Sequence, residues 1–184
     1  MKAKSNTAFI LRLSMTLLLI CAVVAAVLAA VNSYTAPIIA KQKEEKTQLA
    51  IEAVLPGGGE AVEFEDTTGM VTALYASDSG WAVQVTANGF GGAVEMMVGI
   101  DKTGNVIGIS IISHAETPSL GAVAAEDNAA GEAFRGQFAG LSGTLAVSKD
   151  GGTVDAISGA TITSRAVVEG VNAALQCVAR EVRS

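Results

Sequence analysis

The sequence predicts an α+β protein in which one N-terminal transmembrane helix precedes a single domain with an antiparallel sheet, flanking helices and a C-terminal amphipathic helix. Three observations predict this arrangement. Residues 13–40 contain no charged side chain. Short alternating apolar runs separated by tight-turn sequences follow, as is typical of antiparallel strands. Near the C-terminus, apolar residues recur at helical spacing; they are Val167, Val171, Leu175, Val178 and Val182.

The uncharged segment is expected to cross a membrane once. Residues 13–31 alone would span the hydrocarbon core as a helix rising 1.5 Å per residue. A cleaved signal peptide is the alternative, since small residues around Ala29 resemble a cleavage point, but the apolar run is longer than the usual core of a signal peptide. A lipoprotein anchor at Cys21 is disfavoured because Ile20 stands where a small residue is normally required.

The chain is expected to divide into residues 1–12 as a short N-terminal segment, 13–33 as the transmembrane helix, 34–56 as a helical connector and 57–184 as the domain. Pro56 and the glycines after it end the connector. Charge does not decide the orientation in the membrane, because three basic residues precede the apolar segment and three follow it closely; they are Lys2, Lys4, Arg12, Lys41, Lys43 and Lys46.

Within the domain, four runs are predicted to be strands: residues 71–75, 81–85, 93–100 and 106–113. Turn-forming residues between the last two, from Asp101 to Asn105, predict a tight hairpin. Further along, residues 122–138 are predicted to be largely helical. Residues 145–147 are predicted to add another strand, and residues 164–183 the final helix.

Composition excludes several functions. The 184 residues carry a formal net charge of −6, and all 18 acidic residues follow the apolar segment. Nucleic acid is therefore an improbable partner. The two cysteines, one in the apolar segment and one near the C-terminus, are not expected to pair or to form a metal site. No dinucleotide-binding fingerprint of the G-x-G-x-x-G type follows a predicted strand.

The segment from Ser158 to Ser164 places four hydroxyls around Gly159, directly before the final helix. Glycine lets backbone amides approach a ligand, and the N-terminus of a helix attracts a phosphate. Arg165 would add positive charge. The simpler interpretation is that Ser158, Thr161 and Thr163 only cap the helix.

Residues 155–163 resemble the flavinylation motif D-x-[ST]-G-A-T-x-[ST] of the FMN-binding domains found in bacterial respiratory complexes. The resemblance implies that FMN is bound covalently, through a phosphoester, to the hydroxyl of Thr163. In that family a Mg²⁺-dependent flavin transferase performs the attachment with FAD as the donor. Ser158, Gly159, Ala160 and Thr161 are then expected to support the cofactor without bearing the bond.

Residues 114–121 resemble the H-x-E-T-P-G-L-G segment of the G subunit in the Rnf electron-transport complex, with Ser119 in place of the usual glycine. Blocks around Gly89 to Gly92 and Val98 to Asp101 are similar to the same family. A single histidine is too few for an ordinary zinc site, so this loop is expected to line the flavin. The residues expected to contribute are His114, Glu116, Thr117, Leu120 and Gly121.

The resemblance implies an electron-transfer subunit of a membrane-bound ion-translocating ferredoxin:NAD⁺ oxidoreductase, a redox subunit that is not catalytic alone. Its partners would be the other subunits of that multisubunit complex and, during maturation, the flavin transferase. The family places the flavin domain on the outer face of the cytoplasmic, or inner, membrane, which makes residues 1–12 cytoplasmic and residues 57–184 an extracytoplasmic FMN-binding domain.

Three alternatives remain at this point. The C subunit of the Na⁺-translocating NADH:quinone oxidoreductase shares the flavinylation motif. A pilin-like structural protein would also have an apolar helix before a small domain, although pilins usually carry a glutamate within that helix and this segment has none. The third alternative is an anchored binding module without redox function, which would hold no flavin.

Overall fold

The computed structural model describes residues 3–182, which form two compact units that divide between Glu44 and Glu45. The first helix, α1 (Ala3–Val54), supplies the first unit, and its last turns belong to the second. The predicted membrane segment and the predicted connector are thus one continuous helix. Pro37 lies inside it, where proline removes a backbone donor without ending the helix here.

In the first unit, the apolar side chains of α1 between Phe9 and Val31 are exposed. By length and composition, the stretch Ala8–Val54 of this helix is able to cross a membrane. The hydroxyls of Thr16 and Ser33 each donate to the backbone carbonyl four residues earlier, at 2.9 Å. Those polar groups are therefore satisfied within the helix, as a hydrocarbon environment requires.

The second unit is built on a five-stranded antiparallel sheet whose strands are adjacent in chain order. The four strands predicted from alternation are confirmed, and a short edge strand precedes them. The strands are β1 (Glu60–Val62), β2 (Val71–Ala76), β3 (Gly80–Asn88), β4 (Ala93–Asp101) and β5 (Val106–His114). The architecture is the predicted α+β class.

Helices cover both faces of the sheet. The long C-terminal helix, α3 (Thr161–Glu181), packs against β3 and β4 on one face. On the other face, Ile51 and Val54 from the end of α1 pack against the buried side chain of Met97. Because both faces are covered, the central strands are apolar on both sides, and β4 is buried almost throughout.

Two segments differ from the sequence-based expectation. Residues 145–147 are not a strand: Val147 makes a single parallel bridge to Val154, and the side chain of Asn172 bonds both the N–H and the C=O of Leu145 at 2.8 Å. A side chain thus takes the place of a neighbouring strand. A 3₁₀ turn, Ser148–Asp150, follows.

The region between β5 and this turn is helical, as predicted, but in two pieces. A 3₁₀ helix, Gly121–Ala125, precedes α2 (Ala129–Gly136). The first piece ends at Glu126, and Asn128 caps the second, because its side chain accepts hydrogen bonds from two amides of the first turn of α2.

Candidate functional site

A pocket of about 350 Å³ forms where the loop after β5 meets the start of α3, a volume within the range of small-ligand sites. Gly159 lies against Leu120 at this junction. Most of the residues expected to bind the cofactor line this pocket; they are Glu116, Thr117, Leu120, Gly121, Gly159, Ala160, Thr161 and Thr163. Ser158 and His114 do not: Ser158 lines a neighbouring pocket beside α2, and His114 a groove beside β5.

The centre of the site is a hydrogen bond between two buried polar side chains. Thr163 Oγ1 donates to Glu116 Oε2 at 2.8 Å. Thr163 is 1% exposed and Glu116 is 7% exposed. The other carboxylate oxygen, Oε1, accepts from the backbone N–H of Gly91 at 3.1 Å. Both oxygens of Glu116 are therefore held, and one of them is directed at the threonine hydroxyl.

Glycines make the space that the Glu116 carboxylate occupies. A Cβ atom added at Gly89 would overlap Oε1, and one added at Gly121 would overlap Oε2 and lie 2.6 Å from Thr163 Oγ1. Any side chain at either position would have to displace the carboxylate. The glycines therefore keep the carboxylate against the hydroxyl.

The loop that carries Glu116 is fixed by its own turn. His114 Nδ1 accepts from the N–H of Glu116 at 3.2 Å, so His114 orients the loop from outside the pocket. Ser119 adopts a left-handed conformation with a φ of 61°. That conformation strains an ordinary residue and favours glycine, which explains why the related segment carries glycine at this position. The turn is kept here despite the serine.

None of the hydroxyls of Ser158, Thr161 and Thr163 caps α3, so the simpler interpretation of these residues is wrong. The capping position is Ala160, which has no side-chain acceptor, and the helix begins one turn earlier than predicted. Ser164 instead ties the approach to the helix, because its Oγ accepts from Ile157 N–H at 3.0 Å and donates to Ala160 O at 2.9 Å. Among the described residues, no side chain caps the first amides of α3, which can therefore serve an anion.

The positive charge in the pocket comes from a residue that sequence reasoning missed. Lys149 lines the pocket, and its Nζ donates to Thr161 Oγ1 at 3.0 Å. Arg165, the expected source of charge, instead forms a two-fold contact with Asp150 at 2.6 and 2.7 Å. The hydrogen bond from Arg165 lowers the pKa of Asp150, and the same bond raises the pKa of Arg165. Lys149 and Asp150, which are neighbours in the 3₁₀ turn, thus both contact residues at the start of α3.

Large apolar side chains surround the mouth of the pocket. Phe90, Leu120 and Ile162 line it and are 71%, 43% and 51% exposed. Exposed apolar side chains grouped at a concavity indicate a binding site. Phe90 lies in the glycine-rich turn between β3 and β4. The group suits a flat apolar ring, while the uncapped helix end and Lys149 suit a phosphate.

A ligand with a flat ring system and a phosphate is what the class of FMN-binding domains accommodates, and residues 89–176 match the family model described as FMN-binding domain. That matching region contains the pocket and the sheet strands beside it. Residues 1–54, which include α1, match the RnfG N-terminal region.

Full-length relatives give the particular family. The chain is 36% identical over 178 residues to the G subunit of the proton-translocating ferredoxin:NAD(+) oxidoreductase complex of Clostridium ljungdahlii, covering 92% of this chain and 91% of that protein. It is 32% identical to the G subunit of the ion-translocating oxidoreductase complex of Methanosarcina acetivorans, covering 96% and 98%. The G subunit of the Na(+)-translocating ferredoxin:NAD(+) oxidoreductase complex of Acetobacterium woodii is 31% identical, covering 95% and 94%. The chain belongs to the G-subunit family of the Rnf ion-translocating oxidoreductases.

Proposed function

We propose that this chain carries FMN joined by a phosphoester to Thr163, and that it transfers electrons as the G subunit of an Rnf complex. The observation that carries the proposal is the position of the Thr163 hydroxyl. It lies in a pocket rimmed by exposed apolar side chains, in the uncapped first turn of a helix, and it donates a 2.8 Å hydrogen bond to a buried carboxylate.

The residues present fit each part of FMN. A phosphodiester on Thr163 would lie at the positive end of α3, where unpaired amides stabilise negative charge. Lys149 would add a cation from the facing turn. Phe90, Leu120 and Ile162 would contact the ring and exclude water from part of it. When bound, FMN supplies one- and two-electron redox chemistry.

As a redox subunit of an oxidoreductase, this chain works with the other subunits of its complex. Its relatives are named as subunits of ion-translocating ferredoxin:NAD(+) oxidoreductase complexes. The apolar segment of α1 has no charged residue between positions 13 and 40. Because a single helix without charged residues inside the membrane offers no conduction path of its own, the chain's role is electron transfer and the ion path belongs to other subunits.

We further propose that α1 anchors the chain once in the inner membrane, with residues 1–12 cytoplasmic and the flavin domain, residues 57–184, outside. Exposed apolar side chains along α1 support the anchor. Protease added to right-side-out vesicles tests the orientation: the domain should be digested while the vesicles stay sealed. Protection of the domain until detergent is added would place it in the cytoplasm.

Attachment requires the pocket to open. Because Thr163 is 1% exposed, its hydroxyl has to become accessible through the pocket before a flavin transferase reaches it, with the hydrogen bond to Glu116 kept. Covalent attachment then prevents loss of the cofactor.

Co-expression of the full-length chain with a flavin transferase tests the proposal. The denatured protein should fluoresce as a flavin in a gel, and Thr163→Ala should abolish that fluorescence. Thr161→Ala is the matched control, because it removes a hydroxyl two residues away that accepts from Lys149, and it should keep the flavin. Absence of covalent flavin from the wild type would refute the attachment and favour a non-redox module.

A further inference from the structure

We propose that Glu116 is the group that accepts the proton of the Thr163 hydroxyl when FMN is attached, so that this chain supplies the base for its own modification. The inference rests on the proposed attachment at Thr163. It makes Glu116 a catalytic residue of maturation, since Glu116 touches the reacting oxygen.

The geometry places the carboxylate as a base requires. A candidate general base must lie within hydrogen-bond reach of the proton it removes, and Glu116 Oε2 lies 2.8 Å from Thr163 Oγ1 and accepts its hydrogen bond. The other carboxylate oxygen is held by Gly91 N–H at 3.1 Å. Gly89 and Gly121 leave room for the carboxylate and for nothing larger beside it. The arrangement uses three glycines to position one carboxylate.

The chemistry needs a base because a threonine hydroxyl is a weak nucleophile at neutral pH. In the transfer, Thr163 Oγ1 forms a bond to the phosphorus of the FMN half of FAD. The bond between that phosphorus and the oxygen of the AMP half breaks, and AMP leaves with the electron pair. The hydroxyl proton passes to Glu116 Oε2. No electron is gained or lost, and the flavin is neither oxidised nor reduced.

The same proton transfer resolves a conflict of charge. A phosphodiester on Thr163 is negative, and a carboxylate within hydrogen-bond distance of it would repel it. Once Glu116 holds the proton it is neutral, and its O–H is able to donate to the ester oxygen. The hydrogen bond between the two side chains then persists with its direction reversed.

The ionisable groups around Glu116 are few among the described residues. Lys149 lines the pocket from the 3₁₀ turn, and His114 accepts the backbone N–H of Glu116 through Nδ1. The residues of α3 that line the pocket, from Thr161 to Thr163, are uncharged, as are the glycines of the β3–β4 turn. A fall in the incorporation rate that is large in a Glu116 variant and small in a His114 variant therefore belongs to Glu116.

The test measures the initial rate of covalent flavin incorporation into the full-length protein in detergent, by intact mass, with purified flavin transferase, FAD and Mg²⁺. Glu116→Gln keeps the size and a hydrogen-bond acceptor but cannot take the proton at neutral pH. A general base contributes about 100-fold or more, so the incorporation rate should fall by roughly that factor. An incorporation rate equal to that of wild type would mean that Glu116 does not accept the proton.

Control variants distinguish the loss of the proton acceptor from a loss of folded structure. Glu169→Gln makes the same chemical change at an exposed position of α3 and should react at the wild-type rate. His114→Asn keeps an acceptor for the backbone N–H and should slow incorporation far less than Glu116→Gln does. Gly89→Ala adds a methyl group that displaces the carboxylate without crowding the Thr163 hydroxyl, and it should slow incorporation without removing any ionisable group. Unfolding followed by Trp81 fluorescence shows that each variant is folded, and Gly89→Ala provides the test if Glu116→Gln is not folded.

The results that would overturn the role of Glu116 differ from those that would overturn the attachment at Thr163. If wild type incorporates flavin on Thr163 while Glu116→Gln and Gly89→Ala incorporate it at the wild-type rate, the base is supplied by the transferase and the inference about Glu116 is overturned. If wild type incorporates no flavin, or Thr163→Ala incorporates it equally, the proposed attachment fails first.

Discussion

The contact between the end of α1 and the sheet is tested by two glycines that face each other across neighbouring strands. Gly99 of β4 pairs with Gly108 of β5 in the sheet register. A Cβ atom at Gly99 would overlap the carbonyl oxygen of Val54 and lie 2.8 Å from the Val54 Cβ, whereas a Cβ at Gly108 would meet nothing within 4 Å. Gly99→Ala and Gly108→Ala thus make the same chemical change with opposite expected outcomes.

The magnitudes follow from these two surroundings. Forcing a methyl group into packed structure costs about 1–3 kcal/mol, and here the neighbour is backbone, which cannot rotate away. Replacing glycine by alanine inside a strand gains about 0.5–1 kcal/mol where there is space. The two variants should therefore differ in free energy of unfolding by about 2–4 kcal/mol, with Gly108→Ala the more stable.

Thermal unfolding of the full-length protein in detergent measures the difference. Trp81 is the only tryptophan of the chain and lies on β3 beside these strands, so its fluorescence reports the sheet. The midpoints should differ by about 8 °C or more for a unit of this size. Equal midpoints, or a lower midpoint for Gly108→Ala, would contradict the packing of Val54 against β4.

Three further predictions concern the loop, the hairpin and the pocket. Ser119→Gly should raise the free energy of unfolding by about 0.5–1 kcal/mol. The left-handed φ of 61° costs serine about 1–2 kcal/mol, and the larger unfolded-state entropy of glycine offsets part of the gain. A lower midpoint in thermal unfolding would mean that the turn is not strained. Hydrogen bonds from Thr103 and the backbone lower the pKa of Asp101 from 3.8 to about 2. The extra stability of wild type over Asp101→Asn, measured by denaturant unfolding, should therefore be fully present above about pH 4 and lost as pH falls toward about 2. A stability difference that stays constant across that range would exclude the depressed pKa. In the Thr163→Ala background, which cannot attach the cofactor, Lys149→Met should weaken binding of free FMN by about fivefold at low salt and by less at high salt. Fluorescence titration measures the affinity. A loss of affinity that does not depend on salt, or no loss, would mean that Lys149 does not contact the phosphate.

The strands of the sheet could be predicted from the sequence because their signal is local. Alternation marks β2 to β5, and the Asp101 turn joins the last two in the structure as predicted, with Asp101 accepting from Thr103 and Asn105. The segment around Leu145 has the same apolar character but no strand to pair with. Asn172, distant in sequence, takes its backbone hydrogen bonds, and no local pattern records that.

The candidate site was predictable where a motif covers it. The flavinylation motif and the loop resemblance identify Thr163, Glu116 and most of their neighbours. Lys149 was missed because it precedes the motif, in a turn whose docking on α3 depends on tertiary structure. Phe90 was noted only within a glycine-rich block, and its exposure follows from the fold of the β3–β4 turn. The hydrogen bond from Thr163 to Glu116 joins residues 47 positions apart, so neither periodicity nor spacing predicts it.

The most direct test of the account is to locate the flavin on the protein. Trypsin cleaves after Lys149 and Arg165, which places five hydroxyls on one peptide; they belong to Thr153, Ser158, Thr161, Thr163 and Ser164. After co-expression of the full-length chain with a flavin transferase, that peptide should carry the mass of FMN less one water, and fragmentation should assign it to Thr163. An unmodified peptide, or FMN on any of the other four hydroxyls, would contradict the covalent attachment at Thr163.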